Sequence, residues 1–118
     1  MHGAQAYSKV AKVTVSPREL EATLLLKAAA KLQAVSEQWA GMSPQVDDAL
    51  TYNRKLWVIL MTAVTRPENP LPKPVKENIA NLGLFIMNHT MAILSDPKPE
   101  KMGVLVTINR ELAAGLRS

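Results

Sequence analysis

The sequence predicts an all-α fold, a small single-domain bundle of about four main helices with a short N-terminal helix or arm. Its 118 residues are about one domain in length and suffice to bury a core without disulfides. Two Ser-Pro pairs each precede a long segment of helical hydrophobic period. Only residues 104–106 suggest a strand, and no second candidate is present to pair with them.

The domain prediction treats residues 1–118 as one unit. Within it, residues 1–14 form an N-terminal arm, and residues 65–74 form a proline-rich connector. Tyr7 and Val10 are apolar side chains through which the arm would dock on the bundle.

Residues 15–41 give the clearest helical signal. Ser16 is the predicted N-cap, Pro17 is the first helical residue, and Glu19 stands where it would close a capping box. Gly41 is placed to end the helix in a left-handed turn. Val15 and Leu20 stand where a hydrophobic staple would join them. The predicted apolar stripe of this helix comprises Leu20, Leu24, Ala28, Leu32, Val35 and Trp39.

A second helix is predicted to begin at Ser43 and Pro44, with Asp47 in its first turn, where negative charge suits the helix dipole. Its apolar stripe comprises Val46, Ala49, Leu50, Asn53, Trp57, Leu60 and Val64. The prolines of the connector that follows predict an extended, polyproline-like segment.

The third predicted helix, residues 75–95, is apolar on two faces. One face comprises Val75, Ile79, Leu82, Ile86, His89 and Ile93, and the second comprises Leu84, Met87, Met91 and Leu94. A helix that is apolar on most of its circumference is either central in a bundle or carries a face for a partner. Gly83 would allow another helix to approach closely. The last helix, within residues 101–116, carries Leu105, Ile108, Asn109, Leu112 and Leu116 on one side.

An Asn-Arg dipeptide occurs twice among apolar residues, at Asn53-Arg54 and at Asn109-Arg110. Each asparagine lies on the inner stripe of its helix, so its amide needs hydrogen-bond partners, such as a helix end or a turn of a neighbouring helix. One interpretation is structural, in which the buried amides fix helix register. The alternative is a binding surface with Arg54 and Arg110 as bidentate donors at its rim.

The sequence gives little sign of catalysis, and we expect no enzyme activity, cofactor, metal site or small-molecule substrate. Cysteine is absent, the glycines are scattered, and the neighbours of His89 at helical spacing are apolar. No segment has signal-peptide character or the length of a membrane span, so we expect a cytoplasmic protein. The net charge of +4 permits a nucleic-acid partner, although the basic residues are dispersed and aromatic residues are few.

Several segments, in this order and spacing, resemble the flagellar biosynthesis regulator FlaF of alphaproteobacteria. They are "AY" at 6–7, "SPRELE" at 16–21, "NRKLW" at 53–57, "NPLP" at 69–72 and "INRELAAGL" at 108–116. The family's recurring positions correspond here to Tyr7, Ser16, Pro17, Arg18, Glu19, Asn53, Arg54, Leu56, Trp57, Pro72, Asn109 and Arg110. The lengthened connector, "PENPLPKPVKEN", departs from the family pattern and leaves the start of the third helix uncertain.

The resemblance implies a cytoplasmic, non-enzymatic protein that supports flagellin production and filament assembly alongside the translational regulator FlbT. It also implies contact with flagellin in the manner of a secretion chaperone. We therefore hypothesise that Leu84, Met87, Met91 and Leu94 form a groove for a helical segment of flagellin, with Arg54 or Arg110 steering. The alternative is that these four residues are bundle core. A second function stays open, in which the protein binds flagellin mRNA as a post-transcriptional regulator.

Overall fold

A computed structural model describes residues 16–118, and these residues form four α-helices and one short 3-10 helix, as the all-α prediction requires. The helices are α1 (Pro17–Glu37), α2 (Pro44–Val64), α3 (Lys73–Ser95) and α4 (Gly103–Arg117), with the 3-10 helix at Pro99–Lys101. The predicted N-terminal arm, residues 1–14, lies outside the described residues.

The start of α1 is fixed by its cap. Ser16 has extended backbone angles, and its hydroxyl accepts the N–H of Glu19 at 3.1 Å, while Pro17 occupies the first turn. This bond is the serine half of the predicted capping box, and the Glu19 carboxylate accepts a hydrogen bond from Nε of Arg117 at 2.9 Å. This ion pair joins the first turn of α1 to the last turn of α4, so the two helices run antiparallel.

The predicted stripe of α1 lies on the core side except at its first residue. Ala28 and Leu32 are buried, and Leu24, Val35 and Trp39 are partly buried and pack against the core. Leu20 was predicted to lie on the stripe, but its side chain is 52% exposed, so this part of the prediction is wrong. The fully buried face also includes small residues that the prediction left out, and its members are Ala22, Leu25, Ala28, Ala29 and Leu32.

The end of α1 also comes earlier than predicted. The helix stops at Glu37, with Gln38 as its C-cap, so Trp39 lies beyond it. Gly41 does adopt the left-handed conformation, with φ of +87°, but it does so within the loop before α2.

Helix α2 follows its predicted pattern closely. The Ser43 hydroxyl accepts the N–H of Val46 at 3.2 Å, and Pro44 begins the helix. The buried residues are Val46, Ala49, Leu50, Asn53, Leu56, Trp57 and Leu60. The predicted extended connector is wrong over residues 65–69, which form hydrogen-bonded turns, and Asn69 then bonds both the carbonyl of Ala63 and the N–H of Leu71.

Helix α3 begins at Lys73, two residues earlier than predicted, because a proline is acceptable in the first turn of a helix and Pro74 occupies that turn. Gly83 faces Met61 of α2 so closely that a Cβ at this position would overlap the methionine side chain. The predicted close helix approach at Gly83 is therefore present, between α2 and α3.

A short turn joins α3 to α4. Lys101 donates to the Asp96 carboxylate at 3.2 Å, and the His89 ring nitrogen Nε2 lies 2.7 Å from the Lys101 carbonyl. Met102 is fully buried before α4 begins. Residues 104–106 belong to α4, so the strand alternative for this segment is wrong.

Candidate functional site

The two buried asparagines meet in one hydrogen-bond network between α1, α2 and α4. Asn53 and Asn109 are fully buried, and Nδ2 of Asn109 donates to Oδ1 of Asn53 at 2.7 Å. The indole N–H of Trp57 donates to Oδ1 of Asn109 at 2.9 Å, and Nδ2 of Asn109 also lies 3.4 Å from the Leu25 carbonyl. The amides therefore bond each other, an indole and a mid-helix carbonyl, where a helix end or a turn was expected.

The orientation of each amide follows from the donor of Trp57. An indole nitrogen can only donate, so Asn109 must turn its oxygen toward Trp57 and its NH₂ toward Asn53. Asn53 must then present its oxygen, and its own buried Nδ2 has no hydrogen-bond partner within residues 16–118. The network links three helices through side-chain hydrogen bonds, as the structural interpretation expects, and leaves one donor of Asn53 unsatisfied among the described residues.

The arginines that follow these asparagines are exposed and lie on different sides of the bundle. Arg54 precedes Met61 by seven residues and so shares its helix face, which is the face of α2 that meets α3. Arg110 precedes Arg117 by seven residues and shares the face that pairs with Glu19 of α1. The structure thus places Arg54 toward α3 and Arg110 toward α1, and the two do not form one rim.

The four residues proposed as a groove remain accessible on α3, and we call them the outer face. The side chains of Leu84, Met91 and Leu94 are 58%, 63% and 45% exposed, and Met87 is partly buried. The alternative that all four are covered core does not hold within the described residues. Their use as a partner site stays a prediction.

Sequence reasoning did not include an apolar residue of α2 that extends this accessible surface, Val58, which is 47% exposed. Its neighbour Ile59 is 65% exposed but shares the helix face of Tyr52, which lies against lysines of α1, so it points away from α3. Val58 lies one turn before Met61, and Met87 lies one turn after Gly83, so the antiparallel pairing brings them to the same level. The signal was present in the run "WVIL", where Val58 falls off the core stripe.

A cleft on another side of α3 was not predicted at all. It has a volume of about 410 Å³, which lies within the range of roughly 300–1,000 Å³ typical of binding clefts. Its apolar walls come from the connector, α3 and α4, namely Leu71, Val75, Leu82, Ile108, Leu112 and Leu116, and its other lining residues include Arg18, Asn78, Glu111 and Gly115. Only the packing of α1, α3 and α4 brings these segments together, so no local pattern indicates the cleft.

The spacing along α3 separates the cleft from the outer face. Three residues of the cleft each have a counterpart on the outer face nine positions further along α3. The pairs are Val75 and Leu84, Asn78 and Met87, and Leu82 and Met91. Nine steps of about 100° amount to half a turn beyond two full turns, so the members of each pair project from opposite sides of the helix. The protein therefore has two separate apolar surfaces, one on each side of α3.

Some of the lysines form ion pairs within the protein. Lys31 pairs with Asp48 at 3.3 Å and lies 5.1 Å from the ring centroid of Tyr52. Lys98 and Lys101 both pair with Asp96. The pKa of Asp96 is held below its ordinary value, first by the hydrogen bond and positive charge of Lys101 and then by those of Lys98. These lysines are thus poorly placed to contact phosphates together.

One carboxyl near the start of α1 is less favourably placed. Burial raises the pKa of Glu21, and the positive charge of Arg18 opposes part of that rise.

Within residues 16–118 no group of three or more His, Cys, Asp or Glu side chains could hold a metal ion. In the same part of the chain, no helix combines the length and apolar character needed to cross a membrane.

Comparison with known proteins supports the resemblance seen in the sequence. A family model described as "Flagellar protein FlaF" matches residues 3–116, which is essentially the whole chain. Comparisons with curated proteins and with solved structures found no match.

Proposed function

Because the chain belongs to the FlaF family of flagellar proteins, we propose that it binds flagellin in the cytoplasm as a chaperone-like adaptor. It supports flagellin production together with an FlbT-type regulator and acts by binding, not by catalysis. The observation that carries the proposal is the outer face of α3, an accessible apolar surface beside the buried residues through which the helix packs on the bundle.

The chemistry of the outer face suits a helical ligand. Exposed apolar side chains on a packed helix receive the apolar stripe of an amphipathic helix, whose anchors recur at helical spacing. Two of the four residues, Met87 and Met91, have flexible thioether side chains that adapt to differently shaped partner residues. Covering such a stripe would keep a flagellin segment from premature assembly.

Arg54 would steer the partner. Seven residues separate Arg54 from Met61, so in the antiparallel pair it lies near the level of Met91 on α3. An exposed guanidinium beside an apolar face accelerates encounter with an acidic segment and contributes less to the final affinity. Arg110 faces α1 and has no part in this arrangement.

The test is calorimetric titration of the full chain with purified flagellin, and in parallel with flagellin leader RNA, at low and moderate salt. Apolar contact should persist as salt is raised, whereas phosphate contact should weaken linearly on a log–log plot. Saturable RNA binding without flagellin binding would overturn the proposal and favour the RNA-binding alternative, for which the net charge of +4 is the supporting observation. Repeating the titration with an FlbT-type regulator tests that partnership separately.

A matched pair of variants locates the surface. Met91→Glu places a charge in the proposed contact and should weaken flagellin binding at least tenfold, about 1.4 kcal/mol, because the carboxylate would have to be desolvated. Met42→Glu is the control, since Met42 is also exposed but lies in the loop before α2. Equal affinities for the two variants would exclude the outer face as the binding surface.

A further inference from the structure

Gly115 leaves one wall of the cleft open. It lies in the last turn of α4, does not have a positive φ, and lines the cleft. A Cβ built at this position would meet no side chain and no backbone of another segment within 4 Å. Most other residues have a higher helix propensity than glycine, so a larger residue at this position is compatible with the helix and would fill part of the cleft.

A glycine that faces open space fits the close approach of another backbone. The floor of the cleft is apolar, and its rim carries Arg18 from α1 and Glu111 from α4. Both rim residues are exposed, and neither joins an ion pair among the described residues. The cleft thus offers an apolar floor with one cationic and one anionic side chain at its rim.

We propose that the cleft is a second docking site, which receives an amphipathic helix of flagellin while the outer face holds another segment of the same chain. This inference rests on the proposed function. The helix would place its apolar stripe on the floor, a small residue over Gly115, a carboxylate at Arg18 and a basic side chain at Glu111. A helix is the fitting occupant because the cleft walls are mostly helical, and the described residues present no strand edge that an extended peptide could join.

Two sites on opposite sides of α3 act together. Once one flagellin segment is bound, the second binds intramolecularly, which raises overall affinity by about 10²–10⁴ when the linkage spans both sites. Loss of the cleft should then weaken flagellin binding by at least about tenfold while leaving the outer face intact.

Gly115→Leu tests the cleft without harming the fold. A leucine side chain has room at this position and is a good helix former, so the variant should unfold at a higher urea concentration than the wild type. It should nevertheless lose affinity for purified flagellin in calorimetry. Ala114→Leu is the matched control, because Ala114 is exposed, neighbours Gly115 on the same helix and does not line the cleft. Arg18→Glu should reduce affinity in the same direction.

The outcomes separate the two proposals. If wild type binds flagellin and Gly115→Leu binds equally well, the second site is refuted and the proposed function stands. If the wild type does not bind flagellin, both fail. A photo-crosslinking amino acid at the exposed rim position Asn78 should link to flagellin. Linkage to residues 1–15 of the same chain, or a dimer in sedimentation that Gly115→Leu dissociates, would show a different occupant and overturn the inference.

Discussion

Replacing Asn109 with leucine should destabilise the protein far more than the same replacement at Asn53, although both residues are fully buried and bond each other. The two asparagines make different numbers of hydrogen bonds in the network. Asn109 serves Trp57 and Asn53 at once, whereas Asn53 accepts one hydrogen bond and leaves its Nδ2 unsatisfied.

The magnitude follows from the groups that each change leaves without a partner. Asn109→Leu strands the indole N–H of Trp57 and the carbonyl of Asn53, at about 1–3 kcal/mol for each buried group. Asn53→Leu strands one N–H of Asn109 but removes an unsatisfied NH₂ of its own, so these two effects nearly cancel. The extra volume of leucine costs about 1–3 kcal/mol at either site and cancels in the comparison. The expected difference between the two variants is therefore about 2–6 kcal/mol.

The assay is urea unfolding at 25 °C, followed by circular dichroism and by tryptophan fluorescence. With an m-value of about 2 kcal/mol/M, a difference of about 4 kcal/mol separates the two midpoints by about 2 M urea. If Asn109→Leu is already unfolded in water, the midpoint of Asn53→Leu still gives a lower bound on the difference. Equal midpoints, or a lower midpoint for Asn53→Leu, would refute the reasoning and show that Nδ2 of Asn53 has a partner after all.

Three further predictions concern stability. Glu21→Gln should raise the urea midpoint at pH 7, because burial raises the folded-state pKa of Glu21 and so disfavours its charged form. This gain in stability should shrink as pH falls and the carboxyl group protonates. Glu68→Gln, at an exposed position, is the control. Asp96→Asn should lower the urea midpoint at pH 7, because the pKa of Asp96 is depressed in the folded protein. The stability that the Asp96 carboxylate contributes is present above its unfolded-state pKa and is lost as pH falls through its folded-state pKa. The midpoints of Asp96→Asn and the wild type should therefore converge in strong acid. Ser43→Ala removes the cap of α2 and should cost about 1 kcal/mol, seen as a fall of about 4 °C in Tm, whereas Ser43→Gly should cost only a few tenths of a kcal/mol.

The inner face of α2 was predictable because its large apolar residues follow one helical stripe, and Asn53 falls on that stripe. The inner face of α1 was predictable in part, since Ala28 and Leu32 of the predicted stripe are buried. The exception is Leu20, which is exposed. Apolar residues occupy most positions of α1, so periodicity alone cannot fix the exact limits of the buried face, and Ala22, Leu25 and Ala29 were not predicted.

Of the two candidate sites, the outer face was predictable from the sequence and the cleft was not. The outer face was visible in the sequence as a second apolar stripe on α3, and the structure leaves it accessible. The cleft depends on segments far apart in the chain, since Arg18 and Gly115 meet only through the antiparallel packing of α1 and α4. Residues whose partners are nearly a hundred positions away carry no local signal.

Four features were predictable from the amino-acid sequence alone: the helical class, the two serine caps, the burial of both asparagines and membership of the FlaF family. These features depend on hydrogen bonds and periodicity within a few residues, or on motifs preserved in order along the chain. The link from Trp57 through Asn109 to Asn53, and the cleft beside α3, became visible only in the packed structure. Helix packing selects among several compatible faces, and that choice depends on the shapes of distant segments.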